Sequence, residues 1–104
     1  MQSTATLRCV LDALSLFGEN TKVALLSQLG KDGVSFTPEK FDIEKFCTSV
    51  TTLLDQWSDL LFVKIIEDVC RQSDTSLEDL GLRKGRYLHS SELLKELFVK
   101  IEAR

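Results

Sequence analysis

The side chains best suited to chemistry are spread along the chain and do not form a group. His89 is the one histidine, and it stands directly before a predicted helix start at Ser90. Cys9, Cys47 and Cys70 each lie among apolar residues with helical spacing, where a thiol is usually a small buried hydrophobe. A cysteine nucleophile needs an accessible thiolate, so we expect none of the three to be catalytic. Their odd number, long spacings and lack of a C-x-x-C pair predict neither a disulfide framework nor a zinc site.

The carboxylate pairs and the glycine turn predict neither a catalytic site nor a phosphate-binding site. Carboxylates stand close together in the sequence at three places: Asp55/Asp59, Glu67-Asp68 and Glu78-Asp79. None has a histidine at ligand spacing, and a hydrolytic pair needs one carboxyl whose pKa is raised by burial. The turn Gly30–Gly33 lacks the spacing of a phosphate-binding loop. We therefore expect no catalytic residue, no metal and no cofactor.

The densest basic cluster consists of Arg83, Lys84 and Arg86. It precedes the predicted last helix, whose N-terminus adds partial positive charge. The cluster is therefore a candidate contact for an anion or a nucleic acid. A short helix predicted at 76–80 and the last helix at about 91–103 are similar in order to a DNA-reading helix-turn-helix. The segment between them, of about ten residues, is longer than the usual turn of 3–4 residues.

The overall charge argues against a general nucleic-acid binder. The 104 residues include 13 basic and 16 acidic side chains, for a net charge of −3. Non-specific binders usually have a basic surplus, because contacts to phosphates supply most of their affinity. The acidic excess lies in residues 1–69, whereas residues 70–104 have 7 basic and 6 acidic side chains. Any surface that faces an anion is therefore expected in the last third.

Apolar residues repeat at helical spacing through most of the chain. The clearest stripe runs from Ile43 to Trp57, after Asp42, which we expect to cap a third helix. Residues 59–71 are apolar nearly all round, which is typical of a helix with neighbours on several sides. Helices three and four are either separate or one helix bent near residues 56–58. The pattern predicts an all-α fold: one domain over all 104 residues, a compact bundle of five to six helices around a buried central helix at about 59–71.

The order of several segments resembles a known family. These are Leu16-Phe17-Gly18, Lys22–Leu29, the linker Gly30–Phe36, Phe46–Leu54 and Leu60–Val69. The order is similar to that of a small archaeal all-helical domain of uncharacterised function, across residues 14–70. That family tends to have a glycine between its last two helices, where this chain has Gln56-Trp57-Ser58. The resemblance implies an all-helical fold and supplies no site residues.

Two groups of apolar residues are candidate interfaces. The last predicted helix has a stripe made of Leu93, Leu94, Leu97, Phe98 and Ile101. If the first four helices suffice for a core, this stripe is left to pair with a partner groove or with a second copy. Trp57 and Phe62, at the junction of helices three and four, are the second choice, because aromatic residues dominate interface energetics. Core packing is the alternative for both groups.

These features favour a non-enzymatic protein-interaction or self-assembly module, with a homodimer as one form. The alternative is a DNA-associated regulator that uses the basic cluster and the last third of the chain. No leader pattern opens the sequence, and its longest apolar run is much shorter than the ~20 residues that span a bilayer. We therefore expect a cytoplasmic protein that binds a protein partner or itself, with a nucleic acid as the less favoured partner and neither a membrane nor a metal.

Overall fold

The chain folds into α-helices joined by short turns in a computed structural model that describes residues 4–83 and 89–102. Its α-helices are α1 (Thr4–Ala13), α2 (Glu19–Lys31), α3 (Ile43–Leu54), α4 (Ser58–Gln72) and α5 (Ser90–Glu102). Short 3-10 helices, Leu14–Phe17 and Asp55–Trp57, follow α1 and α3. Over the described ranges there is no strand, which confirms the expected all-α class. The Cα radius of gyration is 12.9 Å, close to the ~13 Å of a compact chain of about 100 residues.

Helix α4 lies at the centre of the packing. It contacts α1, α3 and α5, and its residues Leu61, Ile65 and Val69 are fully buried at a spacing of four residues. Val10 and Ala13 on α1 are also fully buried, so the small side chain of Ala13 is part of the face that packs against α4. Helix α4 was predicted to be apolar nearly all round with neighbours on several sides, and one of its apolar side chains, that of Leu60, is half exposed.

An aromatic cluster fixes the linker between α2 and α3 to the core. Phe36 and Phe41 belong to this linker, and their ring centroids lie 5.7 Å apart. Phe41 also lies 5.8 Å from Phe46 of α3 and 5.9 Å from Phe98 of α5. Phe46 in turn lies 6.5 Å from Phe62 of α4. These separations are in the range of favourable aromatic pairs, so a segment without regular structure is held against α3 and α5.

The two ends of α3 are set by aspartates in different ways. The carboxylate of Asp42 accepts hydrogen bonds from the backbone N–H of Glu44 at 2.9 Å and of Lys45 at 3.3 Å, which confirms it as the N-cap. Asp55 ends the helix with φ of 50° and ψ of −119°, a conformation that an α-helix cannot continue through. Helices α3 and α4 are therefore separate.

Residues 76–80 form a turn and not the short helix that was predicted there. The backbone N–H of Leu82 donates to the carbonyl of Leu77 at 2.8 Å. Ser76 accepts from the backbone N–H of Asp79 at 3.1 Å, and a serine that does so satisfies a turn as well as a helix start. Helix α4 has no side-chain cap, because the Ser58 hydroxyl donates to the carbonyl of Asp55 at 2.7 Å.

Candidate docking surface

Among the residues considered for chemistry, Cys9 and Asp68 are brought together, with the Cys9 Sγ 3.7 Å from the Asp68 carbonyl oxygen. Burial, followed by the carboxylates of Asp68 and Asp12, raises the pKa of the Cys9 thiol above 9.0. Burial raises the pKa of the Cys47 thiol to about 12. Both cysteines are therefore poor nucleophiles at neutral pH. His89 is exposed, and its carbonyl accepts hydrogen bonds at the start of α5. Among residues 4–83 and 89–102, no three His, Cys, Asp or Glu side chains group as metal ligands would.

An ion-pair cluster on α4 lies against α1. The carboxylate of Asp68 contacts the Lys64 Nζ at 3.2 Å and also pairs with the Arg71 guanidinium. The Asp68 carbonyl accepts from the Cys9 Sγ at 3.7 Å, which joins α4 to α1. A small depression of about 320 Å³ beside these groups also touches Asp12. The two cations exceed the one carboxylate by a single positive charge. The contact that joins α4 to α1 is the hydrogen bond from the Cys9 thiol to the Asp68 carbonyl.

A wide groove separates the second half of α4 from the turn at residues 75–83. Its lining is mixed, with Ile66 and Leu82 buried on the floor and Arg71 and Arg83 exposed on the rim. Arg83 is the only member of the basic cluster that the structure describes; Lys84 and Arg86 lie outside the described residues. The predicted helix-turn-helix lacks its first helix here, since 76–80 is a turn. Of the three basic residues that were predicted to contact an anion, Arg83 is therefore the one that the structure shows at the groove.

The apolar stripe of α5 belongs to the core. Leu93, Leu94, Leu97 and Phe98 are buried against α3, α4 and the linker, and Ile101 packs partly buried against the same core. The stripe therefore packs in the core, which was the alternative given for it. Phe62, the second aromatic candidate, is buried as well and contacts Phe46. Of the residues proposed as interface anchors, Trp57 is the one whose side chain is largely exposed.

Trp57 lies on an exposed apolar surface at the bend between α3 and α4. Its side chain is 55% exposed, and those of Leu53 and Leu60 are 37% and 50% exposed. Trp57 and Leu60 are three residues apart in consecutive helical turns, so they are neighbours on one face. Leu53 is in the last turn of α3, on the other side of the bend. We call Leu53, Trp57 and Leu60 the corner surface.

The bend determines which side chains of this segment face outwards. Ser58 is buried and bonded to the Asp55 carbonyl, while Leu61 and Phe62 enter the core directly after it. These inward contacts fix the rotation of the first turn of α4 and leave Leu60 facing outwards, while Trp57 precedes this turn in the 3-10 helix. The exposure of the corner surface is therefore set by buried neighbours.

Two acidic residues lie within the segment that carries the corner surface. Asp55 and Asp59 are both exposed, two residues before and two residues after Trp57. The Asp59 carboxylate accepts a hydrogen bond from the Ser90 hydroxyl, which brings the start of α5 to the same end of the molecule. Glu92, in the first turn of α5, is also exposed. The sequence has no lysine or arginine between residues 46 and 63.

The sequence indicates that Leu60 is exposed. Leu60, Lys64, Glu67 and Arg71 follow one another at spacings of four, three and four residues, so they share one face of α4. A face with three charged residues in four is normally exposed. Leu60 therefore belonged with the charged face, although its neighbours in sequence are apolar. No comparable signal existed for Trp57, because the helix break at Asp55 changes its direction.

Two further observations concern the chain as a whole. In the described part of the chain, no helix is both long enough and apolar enough to cross a bilayer. No family model, no curated protein and no solved structure matches the chain. The resemblance to an archaeal helical domain therefore stays a prediction.

Proposed function

We propose that this chain is a non-enzymatic protein-interaction module that binds a partner protein through the corner surface. The observation that supports the proposal is the exposure of the chain's one tryptophan beside two exposed leucines. Isolated exposed apolar residues are ordinary, whereas adjacent ones that include a tryptophan are typical of binding surfaces. Tryptophan is among the residue types that contribute most to binding free energy in interfaces.

Two of the three other large apolar side chains that are exposed in the described residues provide a comparison; the third is Leu16. Val23 on α2 and Val99 on α5 are 65% and 58% exposed, and each belongs to a different helix from the corner surface. Valine is smaller than tryptophan and leucine, and it is under-represented among the residues that dominate interfaces. These two positions therefore serve as matched controls for apolar residues exposed without a binding role.

A display library of random peptides tests the proposal without knowledge of the partner. Peptides are selected on the immobilised chain, and enriched clones are then measured against Trp57→Ala, Leu60→Ala and the double control Val23→Ala/Val99→Ala. We expect Kd to rise at least about tenfold for the corner-surface variants and to stay unchanged for the control, because a side chain that contacts the peptide is lost only in the former.

Two results of the selection contradict the proposal. One is a library from which no clone is enriched above background. The other is a set of clones that bind all variants equally, which places recognition elsewhere on the chain. Circular dichroism of each variant checks that it remains folded, as expected for substitutions at exposed positions, which usually change stability by less than about 0.5 kcal/mol.

A further inference from the structure

The charge around the corner surface restricts the partner. Asp55 and Asp59 stand two residues before and two residues after Trp57, and both are exposed. The nearest basic residues along the chain are Lys45 and Lys64, and Lys64 is paired with Asp68 at 3.2 Å. The segment that carries the corner surface thus has carboxylates and no cation among its apolar residues.

Resting on the proposed function, we infer that the corner surface binds an amphipathic segment of another protein whose apolar side chains contact Trp57 and whose polar side is basic. Complementary charge steers two surfaces together and disfavours wrong partners. An amphipathic helix supplies both parts, with apolar anchors at spacings of three and four residues and lysine or arginine beside them. The described residues contain no strand, so they offer no sheet edge on which an extended peptide could add a strand.

A second copy of this chain fits the surface less well. A two-fold dimer centred on the corner surface would place Asp55 and Asp59 of one copy against the same residues of the other, and like charges across an interface are unfavourable.

The exposed area of the corner surface is also small for a dimer interface. Each of the three side chains has at most ~250 Å² of surface. At the observed exposures they present less than ~400 Å², about half of the ~800 Å² that each partner contributes to a typical stable complex. An area of this size suits a short segment.

An anionic membrane is also disfavoured by charge. Exposed tryptophan and leucine can enter a lipid interface, but anionic leaflets attract basic surfaces and repel acidic ones. The same carboxylates that favour a basic peptide therefore oppose this alternative.

Two synthetic helical peptides test the inference. Both have leucine at positions i, i+3, i+4 and i+7; the remaining positions are lysine in one peptide and glutamate in the other. Trp57 is the chain's single tryptophan, so its emission reports binding at the corner surface without a label. We expect the lysine peptide to shift this emission to shorter wavelength and to bind at least about tenfold more tightly than the glutamate peptide at low salt. The preference decreases as salt screens the charges.

A charge-matched pair of variants locates the effect. Asp55→Asn/Asp59→Asn removes two charges beside Trp57 while keeping the side-chain shape, and asparagine tolerates the positive φ at position 55. Glu19→Gln/Glu39→Gln removes two exposed charges elsewhere. We expect the first pair to reduce the preference for the lysine peptide at least about threefold and the second pair to leave it unchanged.

The outcomes separate this inference from the proposed function. Equal binding of both peptides, or an unchanged preference in the asparagine variant, overturns the basic partner but leaves the display experiment to decide the docking role. A dimer in light scattering that Trp57→Ala dissociates makes the occupant a second copy and overturns the inference. A shift of the Trp57 emission with vesicles of phosphatidylserine, but with neither peptide, overturns it in favour of a lipid surface.

Discussion

Cys47 illustrates how position in the fold decides the chemistry of a residue. Its thiol is buried in the core formed by α3 and its neighbours, and burial raises its pKa from 9.0 to about 12, while Lys95 opposes and Glu44 reinforces that rise. The neutral thiol is therefore favoured in the folded chain far above the pH at which it ionises in the unfolded chain. The sequence predicted this from the apolar neighbours of Cys47, since a thiol in such a stripe is usually buried.

This pKa shift predicts a specific loss of stability in alkali. The unfolded thiol loses its proton above about pH 9 while the folded one keeps it to about pH 12. The free energy of unfolding therefore falls with rising pH in this window, by up to about 1.4 kcal/mol per pH unit from this group. We expect urea unfolding of wild type to show a steeper decrease between about pH 8 and about pH 10 than unfolding of Cys47→Ala, by roughly 1 kcal/mol. Parallel curves for the two proteins would show that Cys47 is accessible to water.

At the scale of elements, the sequence predicted helices better than the joints between them. The stripe from Ile43 onward and the cap at Asp42 predicted α3 correctly, because periodic burial and a side-chain cap are local properties. The break at Asp55 depends on a positive φ that aspartate adopts only when the surrounding contacts require it. Here Ser58 is bonded to the Asp55 carbonyl and the core anchors Leu61, so tertiary structure fixed the joint. The exposure of Trp57 follows from this joint and was not readable from the stripe.

A pair of glycine substitutions tests the strain at the joint. Asp55→Gly places a residue without a Cβ where φ is 50°. We expect it to raise the free energy of unfolding by about 0.5–1 kcal/mol, since the released strain exceeds the added flexibility of the unfolded chain. Asp59→Gly puts the same change inside α4, where it should cost about 1 kcal/mol. If thermal or urea unfolding shows equal losses for both variants, the backbone at Asp55 is not strained.

At the scale of the whole molecule, the core includes residues of α5. A count of apolar residues in the first four helices suggested that they suffice, which left the α5 stripe free. The count failed because several of those residues face outwards, among them Val23, Leu53 and Leu60. The missing apolar surface comes from α5, whose Leu94 and Leu97 are fully buried. A count of apolar residues could not show this, because the packing of the helices determines which of these side chains face the core.

Truncation of α5 side chains distinguishes a core helix from a free one. Leu97→Ala removes buried methyl groups and should lower the free energy of unfolding by about 2–5 kcal/mol. Val99→Ala, two residues away on the exposed side, should change it by less than about 0.5 kcal/mol. If denaturant unfolding shows equally small losses for Leu97→Ala and Val99→Ala, Leu97 of α5 is not packed in the core.

The burial of α5 also affects the chain during its synthesis. Ribosomes release α1 to α4 before α5, so the nascent chain at that stage has an apolar face on α4 that α5 has yet to cover. Exposed surface of this kind promotes aggregation of incompletely synthesised chains and recruits chaperones. The order of the helices along the chain therefore leaves this face of α4 uncovered until α5 emerges.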